Sequence, residues 1–353
     1  MSKTRSAVGV ILAAAVLATV LAASVGSLGC GRREPAATQP PIPAPFQGQP
    51  PTTPAKKLQL AIVPKLLDNP VFQLAAEGAQ AAAAELGDVE VIFTGPETAD
   101  TAKQISTIEN LIDKKVDGIS ISCNQGDALV PVINKAIEAG IPTITFDSDA
   151  PKSKRITYYG INSFQAGVKQ AELLIEALSK MGRKPEGKVV IQSGVAGAPN
   201  LEERIDGVKS VLAKYPGIKL LETLYCDDDT AKAVGQLKDI LRAHPDLQGM
   251  VLVGGWALFA KAPGGFEDIK PGKVAVIAFD ALPNEWDYVR QGYVYALVAQ
   301  RCWRWGYESI KILHDIIVNR KTYPSFVDSG LDIVTKENVE QYAEKWNKKQ
   351  FKE

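Results

Sequence analysis

Residues 58–94 read LQLAIVPKLLDNPVFQLAAEGAQAAAAELGDVEVIFT and combine three patterns in a row. A β-rich run occupies 58–63, and a second β-rich run occupies 89–94. Between them, over 70–86, apolar residues recur at three- and four-residue spacing, which is the period of an amphipathic helix. The stretch therefore predicts a β-α-β unit in which the two strands run parallel.

The same alternation continues along most of the chain. Further β-rich runs lie at 117–122, 142–146, 156–161, 187–192, 218–225, 248–253 and 273–279. Further helical patterns lie near 101–115, 127–139, 164–181, 200–214, 230–243, 282–290 and 302–319. Because the series begins again at 156–161, we predict an α/β fold with two similar halves, each with its own core.

Local signals mark where helices begin and end. Asn69 is a capping side chain placed before Pro70, a residue suited to the first helical turn, and Gly87 is suited to end the same helix. The three aspartates at 227–229 lack the alternate spacing and the glycine of a calcium loop. We therefore interpret them as the cap of a helix that begins at Thr230.

Composition and charge exclude several classes of protein. The chain has 353 residues, of which 46% are hydrophobic and 23% are charged, and this length suggests roughly two domains of about 150 residues. Lys plus Arg and Asp plus Glu both total 40, so the chain has no bulk positive field. We therefore expect no nucleic-acid partner.

The beginning of the chain has the pattern of an export signal. Two basic residues precede an acid-free apolar run over 7–23, and SVGSLGC at 24–30 resembles a lipoprotein processing site. We predict a signal peptide over 1–29 and attachment of lipid to Cys30. An uncleaved anchor and plain secretion are the alternatives.

A proline-rich segment follows the predicted signal. Residues 34–57 contain eight prolines and almost no core-forming side chains, which is the composition of an extended spacer. We predict that residues 30–57 form a lipid-anchored linker that holds the folded part away from a membrane. A tail without this spacing role is the alternative.

Polar side chains cluster in the loops that follow the strands, where parallel sheets bind their ligands. These loops and the turns beside them hold Lys65, Asn69, Phe72, Asp147, Ser148, Asp149, Asn200, Arg204, Trp256 and Asp280. Carboxylate, amide and guanidinium groups each meet two vicinal hydroxyls, and an aromatic face covers the C–H side of a sugar ring. The mixture predicts a neutral polyhydroxy ligand.

The sequence offers no catalytic constellation. Its two histidines, His244 and His314, join no nucleophile–base or metal-ligand pattern, and no glycine-rich phosphate loop follows a strand. Asp147 and Asp280 imitate the carboxylate pair of a glycosidase, but no desolvated proton donor accompanies them. We predict a protein that is not an enzyme and that uses no metal or cofactor.

Several other residues are assigned to packing. Cys123, Cys226 and Cys302 allow at most one internal disulfide, and we interpret them as small buried hydrophobes. Trp303 and Trp305 are interpreted as hinge and core residues.

A set of motifs in a fixed order resembles one known family. The motifs are AIVPKLLDNPVF at 61–72, GAQAAAAELG at 78–87, TFDSDA at 145–150, GVAGAPNLEERIDG at 194–207, VIAFDALPN at 276–284 and LVAQ at 297–300. From Leu58 to about Tyr342 the chain looks like the periplasmic solute-binding proteins of the ribose-binding type. The resemblance implies two Rossmann-like lobes joined by a three-segment hinge around a sugar cleft.

The resemblance also implies where the lobes begin and end. The first lobe would comprise 58–160 and 301–328, and the second would comprise 161–300 and 329–353. Crossings would then fall near Gly160–Asn162, after Gln300 and near Asp328–Gly330.

Six positions match the family's ligand-binding residues: Asn69, Phe72, Asp147, Arg204, Asp280 and Gln300. Other positions depart from the ribose-binding pattern. Ser148 and Asp149 follow Asp147 where an arginine would stand, and Trp256 replaces a polar contact by stacking. With these changes, Lys65 and TFDSDA resemble the branch that binds rhamnose or a furanosyl quorum signal, and the sequence leaves the choice open.

The resemblance implies a lipid-anchored, extracytoplasmic binding protein of an ABC importer. It would bind a monosaccharide or a related small polyol by hinge closure, act as a monomer and deliver its ligand to permease subunits. A protein that presents its ligand to a membrane chemoreceptor or signalling partner is the alternative.

Overall fold

The computed structural model describes residues 57–348. The predicted signal peptide at 1–29, the lipidation site Cys30 and the linker up to residue 56 lie outside the described residues. Between residues 57 and 348, no helix is both long and apolar enough to cross a membrane.

Twelve strands, numbered in chain order, lie in the described part of the chain. They are β1 (Leu58–Val63), β2 (Val89–Phe93), β3 (Gly118–Ile121), β4 (Thr143–Phe146), β5 (Tyr158–Gly160), β6 (Gly187–Ser193), β7 (Ile218–Tyr225), β8 (Gly249–Leu252), β9 (Ala275–Phe279), β10 (Ala296–Gln300), β11 (Phe326–Asp328) and β12 (Leu331–Thr335). The first sheet has the order β11-β5-β4-β3-β1-β2, and the second has the order β12-β10-β9-β8-β6-β7.

Nine α-helices surround these sheets within residues 57–348. They are α1 (Pro70–Leu86), α2 (Thr101–Asp113), α3 (Gly126–Glu138), α4 (Ser163–Lys180), α5 (Pro199–Leu212), α6 (Thr230–Ala243), α7 (Pro283–Arg290), α8 (Cys302–Ile317) and α9 (Val339–Asn347). Two short 3-10 turns, at Trp256–Leu258 and Gly264–Phe266, follow β8.

All pairs in the first sheet are parallel, and in the second sheet only the edge strand β12 is antiparallel to its neighbour β10. The predicted α/β fold of two lobes with mostly parallel sheets is confirmed. One detail of the prediction is wrong, because the run at 156–161 does not open the second half. Its strand β5 lies in the first sheet, where it pairs with β4 and β11.

The chain crosses between the lobes three times. It leaves the first sheet after β5, returns to it with α8 directly after β10, and crosses again between β11 and β12. The three crossings are short and adjacent to paired strands, which is the arrangement of a hinge that joins two rigid lobes.

The first helix follows its sequence signals. The Asn69 side chain accepts a hydrogen bond from the Val71 amide at 3.1 Å, Pro70 occupies the first turn, and Gly87 ends the helix with a φ of +81°. The predicted cap and stop are therefore confirmed. These signals place Asn69 and Phe72 at the carboxyl end of β1.

Glycines hold the helix pair α1 and α8 at very short separation. A Cβ on Gly78 would lie 1.9 Å from the backbone oxygen of Trp303, and a Cβ on Gly306 would lie 1.7 Å from that of Ala75. Only glycine allows backbones to approach this closely. The two helices pack side by side in the first lobe. Phe72 belongs to α1 and Trp305 belongs to α8, and their rings are in contact.

The three cysteines at 123, 226 and 302 are free and buried, each in a different apolar cluster. Their predicted role as small buried hydrophobes is confirmed. Burial also raises the pKa of the Cys226 thiol to about 12, so this sulfur is held in its neutral form.

Candidate functional site

The carboxyl ends of the parallel strands in the two lobes face one cavity. It lies between the lobes and takes in about 350 Å³ of space, part of which is open to solvent. Its lining consists of Lys65, Asn69, Val71, Phe72, Asp147, Asn200, Leu201, Arg204, Asp228, Gly254, Trp256, Phe259, Asp280, Gln300 and Trp305.

Eight of the ten ligand-binding residues predicted from the sequence line this cavity. They are Lys65, Asn69, Phe72, Asp147, Arg204, Trp256, Asp280 and Gln300. The first four belong to loops and helices of the first lobe, and the others belong to the second lobe or end its strand β10. The structure thus brings residues that are up to 235 positions apart in sequence to one interlobe site.

A hydrogen-bonded group bridges the two lobes at the cavity. The Lys65 ammonium donates to Asn200 Oδ1 at 2.8 Å and lies 3.7 Å from the Asp147 carboxylate. Asn200 Nδ2 in turn donates to Asp147 Oδ1 at 3.1 Å, and Ser122 Oγ donates to Asp147 Oδ2 at 2.7 Å. Since Asn200 lies in the first turn of α5, in the second lobe, these contacts hold the lobes together in a closed arrangement.

A second hydrogen-bonded group lies on the hinge side. Arg204 Nη2 donates to Gln300 Oε1 at 3.0 Å, and Gln300 Nε2 donates to Asp280 Oδ1 at 2.8 Å. The Gly255 amide donates to the other Asp280 oxygen at 3.2 Å. Gln300 is therefore hydrogen-bonded to both the Arg204 guanidinium and the Asp280 carboxylate, and these bonds fix the orientation of both groups.

The charged groups of this second set are strongly desolvated. Burial raises the pKa of the Asp280 carboxyl, although the nearby Arg204 guanidinium opposes the rise. Burial likewise lowers the pKa of Arg204, while Asp147 and Asp280 oppose the decrease. In a site this dry, each hydrogen bond to a ligand hydroxyl is worth more than it is in water.

The two cavity carboxylates that come directly after a strand have left-handed backbone. Asp147 follows β4 with a φ of +56°, and Asp280 follows β9 with a φ of +70°. Such values are uncommon for residues other than glycine, and aspartate is among those that tolerate them. The left-handed turn lets each strand end abruptly, with its carboxylate at the edge of the sheet.

Aromatic rings form the apolar walls of the cavity. Trp256 begins the turn after β8, and its ring lies so close to the backbone that a Cβ on Gly254 would be 2.4 Å from it. On the opposite lobe, the ring of Phe72 packs against those of Phe146 and Trp305, with centroids 6.2 Å apart. The two walls offer aromatic surface on both sides of a small ligand.

Two of the predicted ligand-binding residues, Ser148 and Asp149, do not line this cavity. Ser148 is buried but does not line the cavity, because its backbone turns back to bond Phe146 and Cys123. Asp149 points away and forms a two-pronged ion pair with Arg155, and it also accepts a hydrogen bond from Thr145. The left-handed turn at Asp147 directs only that one carboxylate of the three-residue segment toward the cavity.

Seven residues of the lining were not among the predicted ligand-binding residues, and four of them have polar or aromatic side chains: Asn200, Asp228, Phe259 and Trp305. Asn200 lies just after a predicted strand, among the polar loop residues, and its position in the first turn of α5 was a usable signal. Trp305 was assigned to packing, and the structure gives it both roles. Phe259 and Asp228 carried no local signal, because their approach to the cavity depends on tertiary structure.

The arrangement suits binding better than acid–base chemistry. Asp147 and Asp280 each accept two hydrogen bonds that hold them in place. His244 contacts Lys188 and His314 contacts Asp88, so neither imidazole lines the cavity. Among residues 57–348, no group of three or more histidines, cysteines or acids is placed to hold a metal ion.

Comparisons with known proteins agree with this geometry. A family model described as "Periplasmic binding protein domain" matches residues 60–321. The xylose/arabinose-binding protein of Sulfolobus acidocaldarius is 25% identical over 86% of this chain and 77% of its own length. The D-allose-binding periplasmic protein of Escherichia coli is 26% identical over 75% of this chain and 86% of its own length.

A solved structure is closer in sequence than these two relatives. It is an ABC transporter solute-binding protein from Burkholderia graminis in complex with D-arabinose. It is 37% identical, with a TM-score of 0.76, and the match covers 81% of this chain and 98% of that one.

Proposed function

Since this chain belongs to the periplasmic binding protein family, in its ribose-binding type, we propose that it captures a monosaccharide for an ABC importer. It is a solute-binding protein and not an enzyme, as its relatives are. The observation that carries the proposal is the interlobe cavity, in which planar polar groups of both lobes converge between aromatic walls. Sugars present hydroxyls and C–H faces in this combination.

The ligand is a neutral monosaccharide or small polyol, and pentoses are its first candidates. Lys65 already pairs with Asp147, and Arg204 is linked to Asp280 through Gln300, which suits a neutral ligand whose hydroxyls both donate and accept. The Burkholderia protein holds D-arabinose and the Sulfolobus relative is named for xylose and arabinose, which supports the same choice.

Binding acts through closure of the hinge. Lys65 and Asp147 in the first lobe, and Arg204 and Asp280 in the second, contact one ligand only when the lobes are together. The ligand therefore shifts an equilibrium between open and closed forms toward the closed form. Permease subunits recognise that closed form, and ATP hydrolysis belongs to partner subunits.

The protein works outside the cytoplasm on a lipid anchor. The support is the signal-like sequence at 1–29, Cys30 and the proline-rich linker that follows. Metabolic labelling with a fatty acid, compared between the wild type and Cys30→Ser, tests this part. Equal labelling of both proteins would contradict the anchor.

The binding function is tested by tryptophan fluorescence with a panel of pentoses, deoxyhexoses and polyols. One compound should change the emission saturably and be recovered chemically unaltered. Trp256→Phe should remove most of the change, because its ring lines the cavity. Trp346→Phe is the control, since Trp346 packs on Trp286, with ring centroids 5.8 Å apart, and is not part of the lining.

Two results of this experiment would contradict the proposal. The first is the absence of a saturable response to every sugar and polyol in the panel. The second is turnover of a panel member by the purified protein.

A further inference from the structure

Three carboxylates line the cavity, and their hydrogen bonding differs. Both oxygens of Asp147 and both oxygens of Asp280 accept hydrogen bonds from protein donors. Oδ1 of Asp228 is shielded from solvent and has no hydrogen-bond partner among the described residues. A buried acceptor without a donor is costly, so this oxygen is the polar atom of the cavity that most needs a ligand donor.

Local backbone geometry turns Asp228 inward. Asp227 and Asp228 have φ values of +55° and +58°, two consecutive left-handed residues after β7. Asp227 is exposed and paired with Lys232, while Asp229 caps α6 by accepting from the Lys232 amide at 2.7 Å. The middle carboxylate has neither of these roles, and the double left-handed turn directs it to the cavity.

The free oxygen lies beside the aromatic wall. A Cβ on Gly194 would be 1.9 Å from Asp228 Oδ1 and 2.5 Å from Cζ2 of Trp256. The carboxylate and the indole are therefore neighbours above the same glycine, at the end of β6. A sugar ring that lies on Trp256 would present an equatorial hydroxyl at its rim, within reach of this oxygen.

We propose that Asp228 is a further ligand-binding residue, which determines specificity by accepting a hydrogen bond from one hydroxyl of the sugar through its Oδ1. This inference rests on the proposed function and defines its substrate class more narrowly. The ligand must carry a free hydroxyl at that one ring position. A sugar that is deoxygenated there leaves the carboxylate unpaired and is rejected.

The test is calorimetry with the sugar that the panel identifies and with its single-deoxy analogues. Asp228→Ala should weaken binding of the parent sugar at least about ten-fold, because a hydrogen bond to a buried carboxylate is lost. Asp227→Ala is the matched control, since it removes the exposed neighbouring carboxylate, and its affinity should stay within about two-fold of the wild type.

The deoxy analogues identify the hydroxyl. One analogue should bind the wild type weakly and bind Asp228→Ala with the same affinity, because neither complex contains the hydrogen bond. Asp228→Leu is similar in size and has no acceptor, so it provides the same comparison if the alanine variant does not fold.

The outcomes separate this inference from the proposed function. If the wild type binds the sugar and both Asp228 variants bind it equally tightly, Asp228 is not a ligand-binding residue. The same conclusion follows if every deoxy analogue is weakened by Asp228→Ala as much as the parent sugar is. If the wild type binds no sugar at all, the proposed function fails and this inference fails with it.

Discussion

The aspartates at 227–229 show how one residue type takes three roles in three neighbouring positions. The first forms an exposed ion pair, the third caps a helix, and the second is turned into the interlobe cavity. Burial raises the pKa of Asp228 from 3.8 to about 6, while Lys65 and the Val195 amide oppose the rise. The folded protein therefore holds a proton on Asp228 at pH values where the unfolded chain has lost it.

This raised pKa predicts how the stability of the ligand-free protein depends on pH. Between about pH 4 and pH 6 the folded state binds more protons than the unfolded state, so the free energy of unfolding falls as the pH rises. Asp228→Asn removes this dependence. As the pH rises from about 4 to 6, the free energy of unfolding of the variant should increase relative to that of the wild type by up to about 3 kcal/mol. Above pH 6 the difference between the two should stay constant.

Urea unfolding at pH 4.5, 5.5 and 7.5 measures the effect. Asp227→Asn is the control, and its difference from the wild type should not grow through the same window. A constant difference between Asp228→Asn and the wild type at all three values would show that Asp228 is not desolvated in the folded protein.

At the scale of residues, the sequence predicted which side chains line the cavity when those side chains come directly after a strand. It predicted less well the lining residues whose position depends on a turn or on tertiary structure. Asp147 and Asp280 were predictable because the end of a parallel strand fixes where the next side chain lies. Ser148 and Asp149 do not line the cavity, since the left-handed φ of Asp147 decides which neighbour faces inward. Asp228 was assigned to a helix cap for a similar reason. The amino-acid sequence does not predict that Asp227 and Asp228 both have positive φ values, and these values turn Asp228 toward the cavity.

At the scale of elements, the helix pair α1 and α8 depends on glycine contacts. Gly78→Ala would place a methyl group 1.9 Å from the Trp303 backbone oxygen, so the helices must separate. We expect a loss of about 1–3 kcal/mol or more in the free energy of unfolding, which is typical of overpacked cores. Gly235→Ala, in the middle of α6, meets nothing within 4 Å and should stabilise by about 0.5–1 kcal/mol.

Chemical denaturation of the two variants gives this comparison directly. Replacing glycine by alanine should lower the free energy of unfolding at position 78 and raise it at position 235. If Gly78→Ala is as stable as the wild type, the close approach of the two helices is not needed for the fold.

Elements with local signals were predicted well from the sequence, and elements defined by distant pairing were not. The helix α1 has a cap, a proline and a terminal glycine in its own sequence. By contrast, β11 and β12 are short edge strands whose pairing partners lie far away in sequence. The helix α9 was also missed, because it has only nine residues and only Val339 and Ala343 of them are buried.

At the scale of the molecule, two lobes meet at a cavity that neither completes alone. Asp147 and Lys65 come from the first lobe, while Arg204 and Asp280 come from the second. The sequence predicted this division through its repeated α/β pattern and its resemblance to a family. The closed arrangement of the lobes required the structure, because it rests on the contacts of Asn200 with Lys65 and Asp147.

The central claim is that one sugar bridges both lobes, and titration calorimetry of Asp147→Ala and Asp280→Ala tests it most directly. Each variant removes a buried carboxylate from a different lobe. Each should cost about 2–4 kcal/mol of binding, or roughly 30- to 1,000-fold in affinity, because ligand hydroxyls and protein donors are left unpaired. Glu138→Ala, which removes an exposed carboxylate of the first lobe paired with Lys154, should bind like the wild type. If both cavity variants bind within about three-fold of the wild type, the ligand does not lie between the lobes.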